Sequence, residues 1–407
     1  MPLASTENIL PSSIWVTGLH SHFVKTNESS EIGFPKYPDE YFDNYASQAF
    51  LMAKEAGLSA WGITDYNFDP VRWVKSIYPK KELMECAQLW ERMALKSAER
   101  FTTENFLALS GFEYGKSINY YDLSSQDKIE FKDRKNYKGH IDGFGDIVVY
   151  NAPYIAPLQG EHDIKNTLEL HEVYQYIHKA PSGMGIFAHP KEWPEGKGDN
   201  FNRLELYADA IESMVGLEIW NGASYARHQF FFLNEFILAL QKGWKVGAMY
   251  NPDNCWPNWG SISYGEFPLG FTIVIPPDSK SSNNKLNKKN LFSQIRKRRF
   301  YGSFSPKLYL GILTEDGDSM GDTLSISSPK HLFIQASGIE VEEVRIYQGV
   351  SGNTNIKEMT YRYKPDTVLE YRISPPSKGQ TAFCFVELID RNRRFVAHSS
   401  PLWVIRK

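Results

Sequence analysis

Leu19-His20-Ser21-His22 is the first place where residue types and spacing could do chemistry. In an extended segment, side chains two apart point to the same face, so His20 and His22 can offer two imidazoles to one metal ion. Alone, such a pair also fits an exposed surface. Further ionisable residues fall at the ends of short apolar runs. Asp65 follows AWGIT, Glu113 follows FLALSG, His140 precedes the run 146–150, His189 follows GIFA, and Asp253 follows VGAM. Each by itself reads as an ordinary loop residue. Together they keep one strand–polar register. In a parallel β/α barrel the carboxyl ends of the strands form one rim, where such residues converge. Imidazoles mixed with carboxylates suit Zn, Mn or Fe rather than Ca.

The elements that must position these residues follow from periodicity. Short strands are expected at 13–17, 60–64, 106–111, 146–150, 185–188, 217–220 and 246–249. Helices are expected at 45–56, stopped by Gly57, and at 82–100, 168–180 and 231–242. This alternation indicates an α/β fold with parallel strands. The rhythm changes near residue 278, where a polar stretch leads into a basic helix at about 285–299, read as having a solvated basic face. Beyond it, runs such as 308–313, 331–337, 341–349, 381–390 and 401–407, separated by turn residues, indicate an all-β module, most simply a sandwich. The expected domains are a barrel over 1–302 and a β module over 303–407.

LHSHF, AWGITDYN, GFEY, KGHIDGFG, IFAHP, LEIWNG and GAMYNPDNCW resemble, in order and spacing, the polymerase-and-histidinol-phosphatase (PHP) superfamily of metallohydrolases. The similarity spans about residues 13–302. The tail, with LTEDGDSMGDTL before a β module, looks like the carbaryl-hydrolase-like branch. The resemblance implies a distorted (β/α)7 barrel followed by a small β-sandwich. It implies two divalent ions (Mn, Fe or Zn): His20, His22 and Asp253 with a bridging Glu113 would hold one, and Glu113, His140 and His189 the other. The family's third subsite usually carries two histidines; here Tyr66 and Cys255 stand in those places. A phenol and a lone thiol would not hold a third ion, so Tyr66 becomes a candidate general acid. The implied activity is hydrolysis of a phosphoester, mono- or diester, by two-metal-activated hydroxide. An amide or carbamate hydrolase and a catalytically degenerate binding protein are the alternatives.

Other residues are candidates beside these. Asp65 can accept the free N–H of a metal-bound imidazole, or can cap a turn. Lys191, in the loop after His189, can stabilise an oxyanion or face solvent. Asn221 at the end of LEIWNG, Arg227 as a phosphate or carboxylate fork, and Cys255 with Trp256 are candidate substrate contacts.

With 45 Lys+Arg against 48 Asp+Glu the chain is not a broadly basic nucleic-acid binder, and a small-molecule substrate is expected. Three cysteines make no disulfide framework and no zinc knuckle. There is no apolar run of transmembrane length, and the first fifteen residues lack the basic and apolar regions of a secretory leader. The chain as it stands is therefore expected in the cytoplasm; a leader removed upstream would make it secreted or periplasmic. The sequence leaves the oligomeric state open.

Overall fold

The computed structural model describes residues 9–22, 42, 46–115, 145–155, 158–159, 164–165, 168–190, 200–222, 230–253, 263–264, 267–268, 270–277 and 285–407. The chain is mixed α/β with several sheets. The strands that matter to the site are β1 (Trp15–Gly18), β2 (Ala60–Ile63), β3 (Leu107–Ser110), β4 (Phe112–Gly115), β5 (Asp146–Tyr150), β6 (Met184–Ala188), β7 (Met214–Asn221), β8 (Gly247–Asn251) and β9 (Phe271–Val274). They fall into two runs. In one, β9–β1–β2–β3 lie side by side; in the other, β4–β5–β6–β7–β8 do. Gly111 is the hinge between β3 and β4. A Cβ there would lie 2.5 Å from the Val149 carbonyl and 2.8 Å from the Tyr150 ring, so only glycine permits that close approach.

The strands are not all parallel, which corrects the expectation. The pairs β1–β2, β2–β3, β6–β7 and β7–β8 are parallel, whereas β5 runs antiparallel to both β4 and β6, and β1 to β9. Glu113 also differs from expectation, because it lies inside the separate strand β4 rather than just past the end of β3.

Both faces of these strands are buried, as expected where helices cover a sheet. Alternate residues, among them Leu107, Leu109, Val148, Ile186, Val215 and Met249, form an inner cluster. Their neighbours Ala108, Val149, Phe187 and Met214 pack into the larger core. The helices behind them are α1 (Ser47–Glu55), α2 (Phe68–Ile77), α3 (Leu83–Phe101), α4 (Leu170–Lys179) and α5 (Leu233–Lys242). Their ends follow local rules. Glu85 and Glu172 accept the N–H groups of Glu82 and Glu169 at the first turns of α3 and α4. Gly57 and Gly243, at φ +81° and +103°, end α1 and α5.

Helix α6 (Lys288–Arg296) is capped by the Asn287 side chain, which accepts the Asn290 N–H at 2.8 Å. It sends Leu291, Phe292 and Ile295 into the inner cluster. The basic run that ends it is not simply a solvated face. Arg296 donates to the Gly183 carbonyl at 2.6 Å. Arg298 is buried, on left-handed backbone, and donates to the carbonyls of Lys245 at 2.7 Å and Ile211 at 2.8 Å. Burial lowers its guanidinium to about 10. Two of these cations are tie-bars between elements, a role that their charge pattern in sequence conceals.

After α6 the chain is β throughout. Strand β10 (Phe300–Ser303) pairs with β9 on one side and with β11 (Phe395–Ser399) on the other. The main-chain ladder therefore continues from the first part of the chain into the C-terminal strands. No helix among the described residues is long and apolar enough to cross a membrane.

Candidate metal centre

The His20–His22 segment leaves β1 and is held on every side. The Leu19 N–H donates to Asn251 Oδ1 at 3.1 Å, and Tyr150 donates to the Leu19 carbonyl at 2.7 Å. The Asp253 N–H donates to the His20 carbonyl at 2.8 Å, and Ser21 Oγ donates to the Gly62 carbonyl at 2.7 Å. Both imidazoles are buried and turn to one side, as the two-residue spacing requires. Their Nε2 atoms are 3.0 Å apart.

Two carboxylates meet this pair. Glu113 Oε2 lies 2.8 Å from His22 Nε2 and 3.4 Å from His20 Nε2. Asp253 Oδ1 lies 3.2 and 3.3 Å from the same atoms. A tetrahedral ion with bonds of about 2.0–2.1 Å separates its ligand atoms by about 3.3 Å. The donor spacing therefore fits one small divalent cation. Glu113 Oε2 supplies an independent sign: it is fully buried and makes no well-formed hydrogen bond, although His22 Nε2 is so close. The contact is too misaligned to be a hydrogen bond, and a buried carboxylate oxygen calls for a partner.

The same carboxylates reach a second group with their other oxygens. His189 Nε2 is 3.2 Å from Glu113 Oε1 and 3.9 Å from Asp253 Oδ2. His20, Glu113 and His189 also form a ligand-competent trio. His189 and Asp253 both occupy positive φ, at 26° and 41°, which is costly for non-glycine residues. Each is pinned there by its own N–H, His189 by Glu218 Oε2 at 2.9 Å and Asp253 by the His20 carbonyl.

Electrostatics agree with a site that attracts positive charge. Burial pushes the His20 imidazolium down, but Asp253, Glu218 and Glu113 outweigh it and lift it to about 10. His22 is raised in the same way by Glu113 and Asp253. Burial opposes ionisation of Glu113 and Asp253, yet the facing imidazoles hold both carboxyls below their ordinary range. Protons on the histidines thus provide the positive charge that the carboxylates demand.

Glu218 was not among the residues singled out in sequence, and it organises the centre. It is fully buried in β7. Its Oε1 accepts from His20 Nδ1 at 2.8 Å and Asn251 Nδ2 at 3.0 Å; its Oε2 accepts from the His189 N–H and from Asn221 Nδ2 at 2.6 Å. Accepting at Nδ1 fixes the tautomer that leaves the His20 Nε2 lone pair toward the centre. The only sequence signal was a carboxylate in an otherwise apolar strand.

The remaining candidates divide. Tyr66 stacks on His22, with ring centroids 5.0 Å apart, and donates to Asp146 Oδ2 at 3.4 Å. Asp65 is buried; its carbonyl accepts the Glu113 N–H at 3.1 Å, and its carboxylate acts on Tyr154. Asn221 has its amide on Glu218. His140, Lys191, Arg227, Cys255 and Trp256 lie outside the described residues. A second residue not singled out in sequence, Asp146, places Oδ2 3.9 Å from His189 Nε2.

No protein-family profile and no curated protein matches the chain. Among solved structures, it is similar to the pectate lyase PelI of Erwinia chrysanthemi in complex with tetragalacturonic acid, at 14% identity and a TM-score of 0.15. That likeness covers 23% of this chain and 27% of that one. It is also similar to an engineered protein at 9% identity and a TM-score of 0.24, over 99% of this chain and 97% of that one. Likenesses this slight carry no argument about fold or function.

Proposed function

We propose that the protein is a metal-dependent hydrolase of the PHP type acting on a phosphoester, and that residues 1–302 form a distorted (β/α)7 barrel with a β-sandwich module over 303–407. The observation that carries the reading is the pair of buried carboxylates, Glu113 and Asp253, each turning one oxygen to the His20–His22 pair and the other toward His189. The donor set suits two Mn, Fe or Zn ions, which would supply Lewis acidity toward both oxygens of a phosphoryl group and lower the pKa of water at the site.

The chain's own part is to hold and orient. His20, His22, Glu113 and Asp253 would hold one cation, and Glu113 and His189 the other, to which the family resemblance adds His140. Glu218 keeps His20 in its ligating tautomer and anchors the main chain of His189, while Asn251 and Asn221 hold Glu218. Tyr66, half-buried and stacked on His22, serves as proton donor to the leaving oxygen.

The test is turnover of a nitrophenyl phosphate ester by protein purified without added metal. The expected result is hydrolysis that a chelator abolishes and Mn or Zn restores, and that Glu113→Gln removes together with much of the bound metal. Metal-independent turnover, or full metal content and rate in Glu113→Gln, would count against the proposal.

A further inference from the structure

We propose that Asp146 is a protein ligand of the cation held at His189, a role that rests on the metal-centre reading above. The argument begins with register. On β4, Glu113 and Gly115 are two residues apart and share a face. Asp146, the first residue of β5, lies directly opposite Gly115, and directly opposite Ala188 on its other side. Residues directly opposite in a sheet point to the same face. The pairing therefore sends the Asp146 carboxylate to the face of Glu113 and sets it beside the residue preceding His189.

Side-chain geometry agrees. Asp146 Oδ2 is 3.9 Å from His189 Nε2, and the side chain is 18% exposed, so it lies at the mouth of the centre rather than in bulk water. His189 Nε2 thus has three carboxylate oxygens around it: Glu113 Oε1 at 3.2 Å, Asp253 Oδ2 at 3.9 Å and Asp146 Oδ2 at 3.9 Å. Bonds of about 2.0–2.2 Å to one ion place ligand atoms about 3–4 Å apart, according to coordination number. All three separations fall in that range.

A third feature is built into β4. A Cβ on Gly115 would lie 2.0 Å from Asp146 Oδ1 and 3.5 Å from the Tyr66 ring. The absent side chain leaves the space that the carboxylate occupies. The Tyr66 hydroxyl, donating to Oδ2 at 3.4 Å, fixes the carboxylate from the open side, as outer hydrogen bonds do for ligating groups.

The experiment loads the full-length protein with Mn(II). It measures bound metal after dialysis, and the electron paramagnetic resonance signal that separates a coupled pair from an isolated ion. The wild type should retain two equivalents with a coupled signal. Asp146→Asn, nearly isosteric and still able to meet Tyr66, should keep the ion at His20 and His22 and lose the second, giving an isolated-ion signal and at least about a tenfold weaker second equivalent. Gly115→Ala, which keeps the carboxylate but displaces it, should weaken the second equivalent while leaving the first. Asp146→His, a ligand of another kind, should restore the second ion. Two tightly held, coupled ions in both Asp146→Asn and Gly115→Ala overturn the assignment to Asp146 while leaving the metal centre standing. A wild type that binds no metal overturns both.

Discussion

Replacing Glu218 with Gln tests how far the centre depends on one buried carboxylate. Four donors converge on it, two on each oxygen, at 2.6 to 3.0 Å. Glutamine offers one carbonyl oxygen and one amide NH2, so whichever way it turns, two donors face another donor. If the NH2 faces His20, the imidazole must move its proton to Nε2, and the atom aimed at the centre becomes a donor. If it faces the other way, the N–H that holds His189 at positive φ loses its acceptor. Outer-shell partners of this kind typically change metal affinity by about 10–100-fold. Leaving two donors without acceptors, at about 1–3 kcal/mol each, should also lower metal-free stability by roughly 2–6 kcal/mol. Competition with a chromogenic chelator measures the first effect and denaturant unfolding of the metal-free protein the second. Wild-type affinity in a folded Glu218→Gln protein would refute the reasoning.

Four further outcomes are expected. Because His20 is lifted from 6.5 to about 10, metal uptake must displace protons. Affinity should therefore rise with pH, and titration calorimetry at pH 7 in buffers of different ionisation enthalpy should show net proton release. The same shift means that the metal-free fold binds more protons than the unfolded chain between those values; its stability from this group is complete below 6.5 and is lost as pH rises through about 10. In the C-terminal strands, His398 bridges Tyr250 at 2.6 Å and Glu387 at 3.0 Å, all three buried. His398→Ala leaves the Tyr250 hydroxyl and Glu387 Oε1 without this partner, while Glu387 Oε2 keeps Arg345, and should cost about 2–5 kcal/mol in denaturant unfolding. Arg298→Met should cost about 2–4 kcal/mol by the same measurement, since several carbonyls lose a charged donor.

The parts of this centre that were legible in sequence, and those that were not, differ for a physical reason. His20 and His22 stood out by their two-residue spacing, and His189 and Asp253 because polar residues at the ends of apolar runs mark a rim when strands are parallel. Glu113 was found for nearly the same reason, although it stands within β4 and reaches the centre across the Gly111 hinge. The rule looks only at carboxyl ends. Since β5 runs against both neighbours, its first residue rather than its last lies at the rim, and Asp146 escaped it. Glu218 escaped because it stands inside a fully buried strand, among residues that read as core. The helices other than α2 were legible to within a few residues, as at Leu83–Phe101 against 82–100, because periodicity, caps and glycine stops agree there; α2, at Phe68–Ile77, was not expected. The continuation of the sheet from β10 to β11 was not, since a long-range pairing leaves no local pattern.

Anomalous diffraction from crystals of the metal-loaded protein tests the central claim most directly. The account expects two peaks about 3.5–4 Å apart, one against His20 and His22 and the other against His189, with Glu113 and Asp253 between them. A single peak, or ions bound away from these residues, would contradict it.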